Sequence, residues 1–118
     1  MSYLGKWEIN DYLTFPSNTH RVDTGVATDA DAVPSYRIYE DETGTAIITG
    51  DMAILDNANT TGFYSARIQL RSNDGFEKGK CYTIYIEATV DSVLGTTNHT
   101  FQILADTVTD QSKWYNRN

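Results

Sequence analysis

The residues able to do nucleophilic or metal chemistry are few and far apart. There is one cysteine, Cys81, and there are two histidines, His20 and His99. A nucleophilic site needs a serine or cysteine beside a histidine that a third group orients. No G-x-S-x-G elbow is present, and neither histidine is near Cys81 in the chain. One cysteine with two separated histidines also falls short of a zinc set. Glu40, Asp41 and Glu42 are adjacent. Paired acids can cleave glycosides, but these three fall in a polar turn, where charged groups are ordinarily just hydrated. Asp23, Asp29 and Asp31 share one loop, and Asp56, Asn57 and Asn59 share another, both without the ligand spacing of an EF-hand loop. The expectation is therefore no catalytic residue, no metal and no cofactor.

The elements that would position these groups are strands. Eight tyrosines stand among many Thr, Val and Ile, and these types favour sheets. The clearest case is CYTIYIEATV, residues 81–90. It puts Tyr82, Ile84, Ile86, Ala88 and Val90 on one face and Cys81, Thr83, Tyr85, Glu87 and Thr89 on the other. The same alternation places Leu13 and Phe15, Tyr36 and Ile38, Tyr64, Ala66, Ile68 and Leu70, and Phe101 and Ile103 inward. Pro16 is expected to close the first strand. Gly44 is expected to supply positive φ in a hairpin turn after residues 36–39. Residues 21–33 read as a long exposed loop with at most one short edge strand, and residues 91–97 read as a connection. About seven strands with a turn roughly every ten residues predict an antiparallel sandwich, immunoglobulin-like or fibronectin-III-like. Gly79 and Tyr82, in GKCYTIYIEA, read as a tyrosine corner, with the hydroxyl bonded to backbone a few residues upstream.

The chain has 118 residues, and 9 Lys+Arg against 16 Asp+Glu give a formal net charge of −7. That is one core and one domain, residues 1–118, with its core at about 6–105 and an arm at 106–118. Scattered cations in an acidic chain argue against nucleic acid as a partner. The longest apolar run, residues 52–55, is too short to span a membrane. The opening MSYLGKWEIND lacks the pattern of a secretory signal. Two Asn-x-Thr triplets, at Asn59 and Asn98, read as chance in a chain rich in both residues.

The ends are aromatic. Tyr3, Leu4 and Trp7 precede the first strong strand, and Trp114 and Tyr115 lie in the polar tail. Such residues dominate interface anchors, so these five are the candidate contacts to neighbouring subunits. A different class of function is a carbohydrate-binding or adhesion module. It would stack sugars on Tyr39, Phe63 and Tyr85, which alternate away from the inferred cores.

The order YLGKWEINDYLTFPSNTH, PSYRIYEDETGTAI, TTGFYSARIQL and DGFEKGKCYTIYIEATVDSVLGTTNHTFQI resembles the small immunoglobulin-like structural proteins of tailed bacteriophage virions. It is similar in layout to the N-terminal domain of phage baseplate upper proteins. The resemblance covers about residues 3–104, without the long receptor-binding region that follows that domain. It implies a non-enzymatic virion component, either a capsid decoration or head–tail component or a tail or baseplate component. Its partners would be other virion proteins and copies of itself, with neither nucleic acid nor membrane.

Overall fold

Period-two alternation does become strand. The structure, a computed structural model, describes residues 2–41, 43–56 and 58–105. Its eight strands are β1 (Ser2–Trp7), β2 (Tyr12–Asn18), β3 (Ser35–Glu40), β4 (Ala46–Asp51), β5 (Ala53–Ile54), β6 (Phe63–Gln69), β7 (Cys81–Val90) and β8 (Val93–Ile103). A single 3₁₀ turn, Ser72–Asp74, is the one helical segment among the described residues. One sheet has the order β1-β8-β7-β3-β4 and the other β2-β6-β5. The two face each other across Leu13, Phe15, Tyr64, Ile68 and Leu70 on one side and Tyr36, Ile38, Tyr82, Ile84, Ile86, Phe101 and Ile103 on the other. This is an all-β sandwich, and the inward faces are those the alternation indicates.

Several local features differ from the sequence reading. The described residues form eight strands, in keeping with the expected seven or so, and Tyr3, Leu4 and Trp7 lie in a strand of their own. β1 pairs with β8 in parallel, Ser2 opposite His99 and Trp7 opposite Ile103, so the sandwich is not purely antiparallel. Leu4 and Trp7 drive this, since both pack against the core. Gly5, at φ 97, takes up the bulge between Tyr3 and Lys6. Pro16 does not end β2, which runs on to Asn18. β2 is an edge strand, where a missing N–H breaks no ladder bond. Gly44 is not among the described glycines with positive φ. Residues 93–97 belong to β8, because β7 and β8 are joined by only Asp91 and Ser92, at φ 50 and 67. That is the backbone of a tight hairpin turn whose twist matches its strands. The tail 106–118, with Trp114 and Tyr115, lies outside the described residues.

At the end of the sandwich away from this hairpin turn, Tyr82 stacks on Phe101 at a ring-centroid distance of 5.3 Å and meets Phe76 edge-on at 5.1 Å. Tyr82 is fully buried, and its hydroxyl accepts the Glu77 N–H at 2.7 Å. Gly79, at φ 81, donates its N–H to the Ile103 carbonyl at 2.9 Å. The connection from β6 to β7 is thereby pinned onto β8.

Tyr82→Phe removes the acceptor of the Glu77 N–H and is expected to lower the unfolding free energy by about 1–2 kcal/mol in urea titration. Ile84→Ala is expected to lower it by about 2–5 kcal/mol. Neutral results at both would mean that β7 is displaced by one residue. Burial also raises the phenols of Tyr82 and Tyr36 above their usual value. Below about pH 10 both stay protonated in folded and unfolded chains, and stability is unaffected. Above it the unfolded chain ionises first, so stability falls as pH rises. The urea midpoint should drop from about pH 8 to about pH 11, and drop less in Tyr82→Phe.

Candidate interaction surface at the loop-bearing end

Three connections meet at one end of the sandwich. They are residues 19–34 between β2 and β3, residues 55–62 between β5 and β6, and the turn of Asp91 and Ser92. The first is long and polar, and it makes only one isolated bridge, His20 to Ala27. Side chains hold it instead. Thr19 and Thr28 exchange hydrogen bonds, with the Thr19 hydroxyl on the Thr28 carbonyl at 2.6 Å and the Thr28 N–H on the Thr19 carbonyl at 3.2 Å. The Asp29 carboxylate accepts the Gly62 N–H at 2.7 Å, and the Tyr64 hydroxyl accepts the Ala30 N–H at 2.9 Å. Asp31 accepts the N–H groups of Asp91 and Ser92 at 3.1 and 2.9 Å, while its own N–H donates to the Thr89 carbonyl at 2.7 Å.

These acids were candidate cation ligands on the sequence alone. Here their oxygens face backbone donors. Asp23 instead meets Arg21, whose guanidinium lies 3.3 Å from it and 3.0 Å from Asp91. The hydrogen bond from Arg21 holds the Asp23 carboxyl below its usual range and raises the guanidinium in turn. Asp56 accepts from the Asn59 side chain at 3.0 Å. Asn57 and Glu42 lie outside the described residues. Among the described residues no three of His, Cys, Asp and Glu gather as a metal group.

Among its exposed polar groups, this end also presents aliphatic side chains to solvent. Val22, Val26, Val33, Val93 and Leu94 are 46–76% exposed. Val22 and Val93 line one shallow depression, and Val33 and Leu94 line another. Exposed apolar side chains that line neighbouring depressions make this end a candidate interaction surface. They were missed because each valine is isolated in a polar stretch. The one signal in the sequence was that aliphatic residues recur through residues 22–33 with no partner strand to bury them.

The other candidates are dispersed. Tyr3 is 60% exposed on β1, whereas Leu4 and Trp7 turn inward, the Trp7 indole donating to the Leu4 carbonyl at 3.0 Å. The proposed sugar platform does not form: Tyr39 and Tyr85 stand in the five-stranded sheet and Phe63 in the other. The Tyr85 ring is also covered by the Arg37 guanidinium at 5.0 Å, which pairs with Glu87 at 2.6 Å. Cys81 is exposed at the start of β7, opposite Gln102, and fills no core space. Asn98 lies in mid-strand on β8.

One arrangement that the sequence hid does bring a histidine to a serine. His99 is 7% exposed, and its Nε2–H donates to the Pro16 carbonyl at 2.8 Å. Nδ1 is then an acceptor, and Ser2 donates its hydroxyl to it. The third member is a carbonyl rather than a carboxylate, so the set lacks the acid of a triad. Its role is to clamp β1 and β8 of one sheet to β2 of the other.

Among the described residues no helix is long and apolar enough to cross a membrane. Compared with known proteins, the chain matches no family model and no curated protein.

Asp31→Ala should leave the two turn amides without their acceptor. Faster hydrogen exchange at Asp91 and Ser92 is expected, with a loss of about 1–2 kcal/mol in stability. Gly62→Ala should lose at least as much. Its φ is +71, and a Cβ there would meet the Thr19 carbonyl at 2.4 Å. A thermal midpoint unchanged in both variants would show that the loop is not held by these contacts.

Proposed function

We propose that this chain is a non-enzymatic structural protein that joins a larger assembly by protein–protein contacts. The resemblance to small immunoglobulin-like virion proteins suggests the kind of assembly: a bacteriophage particle, with the chain as a head decoration, head–tail, tail or baseplate component. The observation that carries the reading is the loop-bearing end, where Val22, Val26 and Val33 are exposed on a loop fastened by half-buried hydrogen bonds, and Val93 and Leu94 are exposed at the start of β8 beside it. An apolar contact patch on a fixed frame loses little conformational freedom on docking. The net charge of −7 suits an external position better than contact with packaged DNA.

The test is co-sedimentation with assembled particles of its own source. Replacing Val22→Lys and Val33→Lys together should reduce the copies bound at least about tenfold, equivalent to about 1.4 kcal/mol. Neither side chain is buried, so the free protein should melt as before. Undiminished binding by the double variant would remove the loop-bearing end from the contact. A wild-type chain that stays in the supernatant would overturn the reading itself.

A further inference from the structure

β8 is flanked on both sides only where β1 reaches it, from His99 to Ile103. Over residues 93–98 it has β7 on one side and no described strand on the other. Val90 and Val93 bracket the two-residue turn and so exchange the first ladder bonds. By the antiparallel alternation, the N–H and C=O of Leu94, Thr96 and Asn98 then point away from β7, into the open position. That position continues the line of β1.

Beneath it lies a groove of about 200 Å³ between the two sheets. Ile86, Ala88 and Val90 of β7 form its apolar wall, spaced every second residue, and Ser17 of β2 and Thr19 just beyond it line the other side. No Asp, Glu, Lys or Arg lines it, although the chain carries 25 such residues, 9 basic and 16 acidic. The other edges are guarded in the usual ways. β2 carries Pro16, β1 has a bulge and Lys6, β4 has a bulge at Ile47 and ends in Asp51, and β5 is two residues long. The sequence VLGTTN along this stretch of β8 has no charge, no proline and no bulge.

We infer that this groove accepts one extended, uncharged strand from a neighbouring subunit of the assembly, added to the edge of β8 in line with β1. Main-chain bonds at Leu94, Thr96 and Asn98 supply the affinity, and small or medium aliphatic side chains at alternate positions meet Ile86, Ala88 and Val90. Strand addition to an open edge works in this way. The absence of charged lining is the complement to such a strand, since a charged side chain placed there would be desolvated without a partner. The donor's identity as a neighbouring subunit rests on the assembly reading; the groove itself does not.

The experiment supplies the strand within the chain. Six residues, Val-Thr-Val-Thr-Val-Thr, are inserted ahead of Ser2, where β1 begins beside His99 and Ser2 faces inward with it, so that the valines enter the groove. The filled groove should raise the thermal midpoint by at least about 4 °C and slow amide exchange at Leu94, Thr96 and Asn98 by at least about tenfold. Thr96→Pro in the extended chain should return both to their starting values. It removes an outward N–H and leaves the bonds to β7, and the preceding Gly95 tolerates the proline ring. Val93→Lys, at a 49% exposed position on the groove lining, gives a second variant with the same expected loss. No gain on extension, or a gain that survives both substitutions, would overturn the inference. On particles, the extended chain should bind at least about tenfold less than the original. Equal binding by both would overturn the docking role of the groove. An extended chain that gains stability while neither form binds particles would overturn the assembly reading, and with it the donor.

Discussion

The register of β7 is the constraint on which everything else hangs. It is the middle strand of the larger sheet, with β3 on one side and β8 on the other. Its inward residues, Tyr82, Ile84 and Ile86, are each at most 1% exposed. A slip of one residue would bury Thr83, Tyr85 and Glu87 instead and expose the core face. The same register delivers the Tyr82 hydroxyl to the Glu77 N–H at one end of the sandwich. At the other end it sets Val90 opposite Val93, so that two residues close the hairpin. The corner, the hairpin turn and the open edge of β8 are therefore consequences of one strand's placement.

The second organising element is how the acidic residues are used. An excess of carboxylates in a small domain would ordinarily be left on the surface. Here Asp29 and Asp31 accept main-chain N–H groups from segments more than 30 positions away. A carboxylate accepting backbone donors makes a stronger bond than a neutral acceptor does, and it orders a loop that has no ladder of its own. The acids that looked like a place for a cation thus give shape to the loops at this end.

What the sequence made legible follows from this division. The alternation of CYTIYIEATV and of Gly62 to Leu70 foretold which side chains meet in the core, because sheet faces depend on a period of two and on nothing remote. The tyrosine at the start of β7 was readable for the same reason. The extent of β8 was not, since GTTNHT carries no apolar alternation; β7 imposes that pairing from the side. Pro16 and Gly44 misled because their local preferences depend on whether the strand is an edge and on how the turn is closed. The loop-bearing end was hidden for a physical reason too. It is made by contacts such as Asp31 with Ser92 and Asp29 with Gly62, which lie far apart along the chain. His99 was equally unreadable, since its partners Ser2 and Pro16 come from opposite sheets.

The ties from Asp29 to Gly62, from Tyr64 to Ala30 and from Asp31 to the hairpin turn also limit how this domain can change over generations. In sandwiches whose end loops are independent, each loop can lengthen or shorten without disturbing the others, and new specificities arise by insertion. Here a residue added to one connection would pull an aspartate away from an amide on another. Variation is channelled into the side chains that no bond restrains, Val22, Val26 and Val33. The surface can change what it recognises by altering its texture while its outline stays fixed. Among descendants of this fold, loop length at this end should be the conservative character and side-chain chemistry the variable one.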